Sequence, residues 1–230
     1  MNAASMLVLL QLSDSAFPSG GFVHSYGLEQ ALRDGRLTDA AGVEVFVQSV
    51  VTQSVATSEA LAAREAARAA RHADVAAIVV LDRALLRTKA ASELRTASLQ
   101  TGRRLVEEAA VHVESAVLKD YACELSRDGQ LGCYAVAFGV VSAALNAEPD
   151  DVPAAFMLSS ANALLQAAMR LGRISHRDAQ GALHRLRPVI EARSVVLAHE
   201  RTAWELQAFH PLQEIASMRH ARAEARLFAS

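Results

Sequence analysis

The chain is poor in the residues that most often announce covalent architecture or chemistry. It has two cysteines in 230 residues, Cys123 and Cys133. That excludes a disulfide framework, and their spacing is not that of a C-x-x-C pair. Two reduced thiols in a cytosolic protein are expected, with a single bridge as the alternative. Aromatic residues make up only 5%, which argues against a β-sandwich or barrel built on aromatic and β-branched pairs. Prolines number five, at 18, 149, 153, 188 and 211, so residues 19–148 contain none of the strongest helix breaker. Neither sign of charge dominates: 23 Lys and Arg face 25 Asp and Glu, for a formal −2. No global field exists to hold nucleic acid or an anionic membrane.

Long apolar runs are also missing. The uncharged stretch from Gln130 to Ala147 has its apolar part between Leu131 and Val141, short of the ~20 residues a span needs. It reads as a buried central helix. The first residues lack a basic segment followed by a long apolar run and a small-residue cleavage site, so no signal peptide is expected.

Catalytic signatures are absent in turn. There is no GxxxxGK[ST] phosphate loop, no GxGxxG, no GxSxG and no HExxH. Gly20–Gly21 is a bare pair with no lysine nearby. Eight histidines are scattered, none paired at i,i+4 and none beside a cysteine. No metal site and no cofactor are expected.

What the chain does have is alanine, 47 residues of it, the best helix former because it loses no side-chain entropy on ordering. Val43, Phe46, Val47, Val50 and Val51 form one apolar helix stripe, with Thr38 and Asp39 as candidate caps. An alanine-rich block over Ser58–His72 and a helix from Asp74 to about Arg87 follow. Leu94, Ser98, Thr101, Leu105, Ala109, His112 and Ala116 recur at helical spacing, beside the i,i+4 pairs Arg103–Glu107 and Arg104–Glu108. Further helices are expected over Ala116–Ser126 and residues 131–146. Another starts at Asp150, Asp151 and Pro153, carries Met157, Ala161, Leu164, Leu165 and Ala168, and ends near Gly172. The next starts at Ser175, with Ala179, Leu183, Leu186 and Ile190 on one face and Pro188 kinking or dividing it. Pro211 opens the last, bearing Leu212, Ile215 and Ala216. The expected fold is all-α, about ten helices in a single-domain bundle.

The chemistry-bearing side chains concentrate near the N-terminus, from Leu9 to Glu29: a short helix, a tight Pro-Ser-Gly-Gly turn flanked by Phe17 and Phe22, then a second short helix. Gly20 and Gly21 permit positive φ or close backbone approach. An aromatic–glycine loop suits a protein interface; it equally suits packing on its own domain.

This segment resembles the signature of the F-type urease accessory proteins (UreF) over the run Leu-Gln-Leu-Ser-Asp-Ser-Ala-Phe-Pro-x-Gly-Gly-Phe-x-His-Ser-x-Gly-Leu-Glu. Three further blocks are similar to that family in the same order: residues 93–105, 161–172 and 211–230. The sequence departs from the family pattern at Ser175-His176, Ala221 and Ala229. The resemblance implies an all-helical domain over 1–230, with 1–34 as a signature segment and 211–230 as a partner-binding tail. It implies a non-catalytic, cytoplasmic role in maturing a nickel enzyme, bridging a UreD/UreH-type accessory protein and the UreG GTPase during nickel delivery to apo-urease, commonly as a homodimer. Pro18, Gly20, Gly21, Phe22, His24, Ser25, Gly27 and Glu29 match the signature and are candidates for the GTPase-facing or dimer-forming surface. Met218, Arg219, His220, Arg226, Leu227 and Phe228 match the tail that would face the UreD/UreH-type partner. Leu227 and Phe228 suit a partner's pocket, and Arg226 suits a carboxylate or backbone carbonyls. The alternative is a direct nickel carrier using the scattered His and Cys residues.

Overall fold

The computed structural model describes residues 2–199 and 206–229, apart from the side chains of Phe22, Ala198 and His199. Among the described residues it is all-α, with no strand. Helix α1 spans Ala3–Ser13, α2 Leu28–Arg33, α3 Ala40–Val50, α4 Ala60–Arg71, α5 Val75–Thr88 and α6 Ser92–His112. Then come α7 (Ala116–Arg127), α8 (Tyr134–Ala144), α9 (Val152–Arg170), α10 (His176–His199) and α11 (Pro211–His220).

Asp39 caps α3 by accepting the Gly42 N–H at 2.8 Å, and the stripe Val43, Phe46, Val47, Val50 and Val51 is wholly buried. The helix does not stop there. The chain continues into α4 through a π-helical stretch, Val51–Glu59, so the separate alanine-rich block is the second half of one long helical run. Hydroxyls accompany the widening: Thr52, Thr57 and Ser58 donate to the carbonyls of Gln48, Gln53 and Ser54. Such back-bonding competes with the regular ladder.

Helix α8 is the centre of the fold, as expected for the uncharged stretch. Ala135 to Val141 are all buried, between α4, α6 and α9. Alanine makes the approach possible, and one glycine makes it closer: a Cβ on Gly139 would run into the Ala63 carbonyl oxygen of α4. At α5 the buried Asp82 carboxylate accepts the Tyr121 hydroxyl at 2.6 Å and the Gly132 and Cys133 N–H groups at 2.7 and 2.9 Å. Burial pushes its pKa up while these donors hold it down, and the upward effect wins. Asp82 thereby ties the α7–α8 connection to α5.

Several expectations change. Arg103 does not pair with Glu107; it reaches across to the carbonyls of Leu131 and Asp128 at 2.9 and 2.6 Å. His112 and Ala116, at the far end of the α6 stripe, are exposed. Helix α10 runs through Pro188 undivided, because that position faces solvent, where water can take the carbonyl the ring leaves unpaired. Its start is a reciprocal cap, Ser175 Oγ accepting the Asp178 N–H and Asp178 accepting the Ser175 N–H. Both cysteines are free, but only Cys133 is buried; Cys123 is exposed. Helix α11 buries Gln213, Ala216, Ser217 and His220 and leaves Ile215 outside, so its inward face is mostly polar. Among the described residues one helical segment, Pro149–Arg170, is long and apolar enough to cross a membrane, and half of its apolar window is buried in the fold.

Candidate functional site

The two ends of the chain meet. The turn after α1 opens with Asp14 accepting the Ala16 N–H at 2.8 Å. Gly20 adopts φ +80° against the Arg104 side chain, and Gly21–Val23 form one 3-10 turn. Phe22 lies in that turn, its side chain outside the described residues. Gly27, at φ +85°, sits where α11 crosses: a Cβ there would stand 2.8 Å from both the Gln213 carbonyl and the Ser217 hydroxyl. A glycine is required on both counts.

That close approach carries α11 over Glu29, a residue of α2 that is only 1% exposed. Glu29 Oε1 accepts from Arg33 at 2.5 Å and from the Leu227 N–H at 3.0 Å. Oε2 accepts from His220 Nε2 at 3.0 Å and from the Phe228 N–H at 3.1 Å. Desolvation opposes the charge on Glu29, but the Leu227, His220 and Phe228 donors and the Arg33 guanidinium hold its carboxyl below the ordinary range. On the other side of the ring, His220 Nδ1 lies 3.0 Å from Glu93 at the start of α6, and Arg226 lies 3.3 Å from the same carboxylate.

The tail is fixed at further points. Ala229 N–H donates to the Val23 carbonyl at 2.8 Å, Arg33 also donates to the Ala225 carbonyl, and Arg219 pairs with Asp34 at 2.7 Å. The Phe228 ring is buried, with the Arg170 guanidinium 4.5 Å from its centroid, a cation–π contact. Desolvation lowers the Arg170 pKa.

The residues singled out from sequence therefore divide into two groups. His24, Ser25, Gly27, Glu29, His220 and Phe228 are buried, and of these Gly27, Glu29, His220 and Phe228 build the junction. Pro18, Met218, Arg219, Arg226 and Leu227 are exposed, Leu227 at 66%. Gly20 and Gly21 lie between. Phe228, expected beside Leu227 as a pocket-filling pair, is instead packed into its own chain. Burial pushes the His24 imidazole down to about 4, so it is neutral near pH 7. Glu93, Arg33 and Arg170 carry this junction without having been singled out; Glu93 and Arg170 meet partners far away in the chain, while Arg33 sits at i,i+4 from Glu29, a local spacing that could have marked it.

Beneath the Gly20–Gly21 turn lies a cavity of about 130 Å³, with Tyr26, Ser98, Tyr134, Glu59 and Lys89 among its lining residues. Lys89 pairs with Glu59 at 2.5 Å. Burial disfavours its charge, yet the neighbouring carboxylate keeps the ammonium pKa above its usual value. Burial pushes the Tyr134 hydroxyl up to about 12, so it stays a neutral donor. Tyr26 is held at φ +51°, a left-handed conformation costly for an aromatic residue.

Among the described residues, no group of three or more His, Cys, Asp or Glu side chains is placed to hold a metal ion. In the Glu29–His220–Glu93 set both ring nitrogens are already engaged by carboxylates. The arrangement is a docked, hydrogen-bonded junction that presents a rim of apolar and cationic side chains.

The UreF family model matches residues 37–187, which leaves both joined ends outside the match. Individual relatives cover them. The chain is 30% identical over 225 residues to a urease accessory protein UreF of Bacillus sp. (strain TB-90), covering 98% of this chain and 99% of that protein. It is 32% identical over 228 residues to urease accessory protein UreF 2 of Brucella canis, covering 97% and 91%. It is 30% identical over 230 residues to urease accessory protein UreF of Trichodesmium erythraeum, covering 99% and 97%.

Proposed function

The chain belongs to the UreF family of urease accessory proteins, and from that premise we propose that it is a non-catalytic helical adaptor of the cytoplasm. It bridges a UreD/UreH-type protein and the UreG GTPase, as a homodimer, while nickel is inserted into apo-urease. The observation that carries this reading is the junction itself. Glu29 binds the Leu227 and Phe228 amides, so the signature and the tail act as one unit, while Leu227, Met218 and Arg226 remain exposed on it. Exposed apolar and arginine side chains on a fixed backbone are the usual anchors of protein interfaces. In the proposed arrangement the tail rim contacts the UreD/UreH-type partner. Pro18 and the Gly20–Gly21 turn support the surface for the GTPase or a second copy.

Stoichiometric mixing of the three proteins, followed by size exclusion with and without GTP, tests the proposal. A single peak containing all three supports it. Three separate peaks under both conditions would contradict it.

A further inference from the structure

His220 is 0% exposed and wedged between carboxylates on two different helices. Its Nε2 faces Glu29 at 3.0 Å, and its Nδ1 faces both Glu93 oxygens at 3.0 and 3.1 Å. An ionised carboxylate only accepts, and a neutral imidazole has one N–H and one lone pair. Only the doubly protonated ring can donate to both carboxylates. In either neutral tautomer a lone pair would point at a buried carboxylate oxygen.

The other charged groups at this spot are few. On α2, Arg33 holds Glu29, and Asp34, just past the end of that helix, holds Arg219 of α11. From the tail, Arg226 reaches Glu93. On α11 itself Glu214 is engaged by the Ala91 N–H. Arg33 and Arg226 offset the carboxylates only from the rim, their side chains 39% and 42% exposed, where solvent weakens them. Arg226 also leaves whenever the tail leaves.

The oxygen that takes the His220 proton also takes the Phe228 N–H. Displacing Glu29 from an unprotonated ring therefore loosens the hydrogen bond that holds the tail. We propose that His220 is a proton-dependent clamp on the C-terminal tail: the imidazolium, donating to Glu29 and Glu93 at once, holds residues 221–229 against α2, and the neutral ring releases them. Resting on the reading of this tail as a partner-binding segment, the clamp makes access to that segment depend on proton uptake.

Nuclear magnetic resonance of the isolated full chain tests the clamp without any partner. The protection factors of the Leu227 and Phe228 amides are followed from about pH 6 to about pH 9, with the His220 ring protons recorded in the same samples. Protection of these two amides is expected to fall about tenfold or more as pH rises, with the midpoint of the ring titration, while α8 amides stay unchanged. In His220→Gln, whose amide donates only from its nitrogen and cannot titrate, the dependence should vanish. Flat protection in the wild type, or a midpoint unrelated to the ring, overturns the clamp, and neither reading requires the variant to fold. Capture of the UreD/UreH-type protein is measured separately at one pH. Its failure with the titration intact would defeat the adaptor reading and leave the clamp standing.

Discussion

Replacing Glu29 by alanine should detach the tail before it unfolds the protein. The carboxylate serves four donors: Arg33, His220 and the amides of Leu227 and Phe228. Arg33 is partly exposed and can turn to water, so its loss counts for little. Each remaining bond is made to a charged acceptor, a class worth about 1.5–3 kcal/mol apiece, and removing one partner of a buried ion pair typically destabilises by about 3–5 kcal/mol. The cheapest relief is undocking of residues 221–229. That in turn forfeits burial of the Phe228 ring, about 2 kcal/mol. The loss should therefore appear as about 3–5 kcal/mol in the tail amides and rather less in the global transition. Amide exchange reads the first and urea unfolding the second, with the midpoint falling by about 1–2 M for an ordinary urea slope. The effect has a pH signature. Glu29 is held below the ordinary carboxylate range in the folded state, so its stabilisation is complete above that range and disappears as pH falls through the folded value. Wild type and variant should converge in acid. A variant that loses less than about 0.5 kcal/mol and keeps Leu227 and Phe228 protected would refute the anchoring role.

Other substitutions test the scaffold. Gly139→Ala should destabilise by about 1–3 kcal/mol by denaturant titration, because the new methyl meets the Ala63 carbonyl of a facing helix. The same change at Gly181 of α10, where the nearest atoms belong to the Arg185 guanidinium at 3.3 Å and beyond, a side chain paired with Glu44 but 60% exposed and able to give way, should stabilise by up to about 1 kcal/mol. Ala73 follows α4 at φ +55° and is exposed, so Ala73→Gly should raise stability by about 1 kcal/mol in thermal unfolding. His24 is held neutral, its pKa pushed down to about 4 from 6.5. The unfolded chain then binds more protons between those values, and stability should fall on acidification through that window. His24→Gln should flatten this limb of the pH–stability curve.

The body of the fold was legible in sequence because its signals are local. The valine stripe of α3, its Asp39 cap and the uncharged α8 segment each express burial over a few turns, where side-chain periodicity reports which face is covered. The fate of Pro188 was less legible, since a helix tolerates proline on a wet face and the sequence does not say which face is wet. The junction was half legible. Gly27, Glu29, His220 and Phe228 stood out through a family resemblance, but their joining did not, because Glu29 and Phe228 are 199 residues apart in the chain and no local pattern links them. Glu93 and Arg170 escaped for the same reason. The polar inward face of α11 misled periodicity outright: Gln213 and Ser217 are buried where the helix crosses Gly27, and His220 between Glu29 and Glu93, so the apolar Ile215 was left outside.

The most direct test of the adaptor account is Leu227→Asp. This side chain is 66% exposed, so the substitution should leave the urea midpoint of the isolated protein unchanged. Affinity for the UreD/UreH-type protein, measured by calorimetry, should fall about a hundredfold if Leu227 is an interface anchor. Unaltered affinity in a folded variant would contradict the claim that the tail rim is the docking surface.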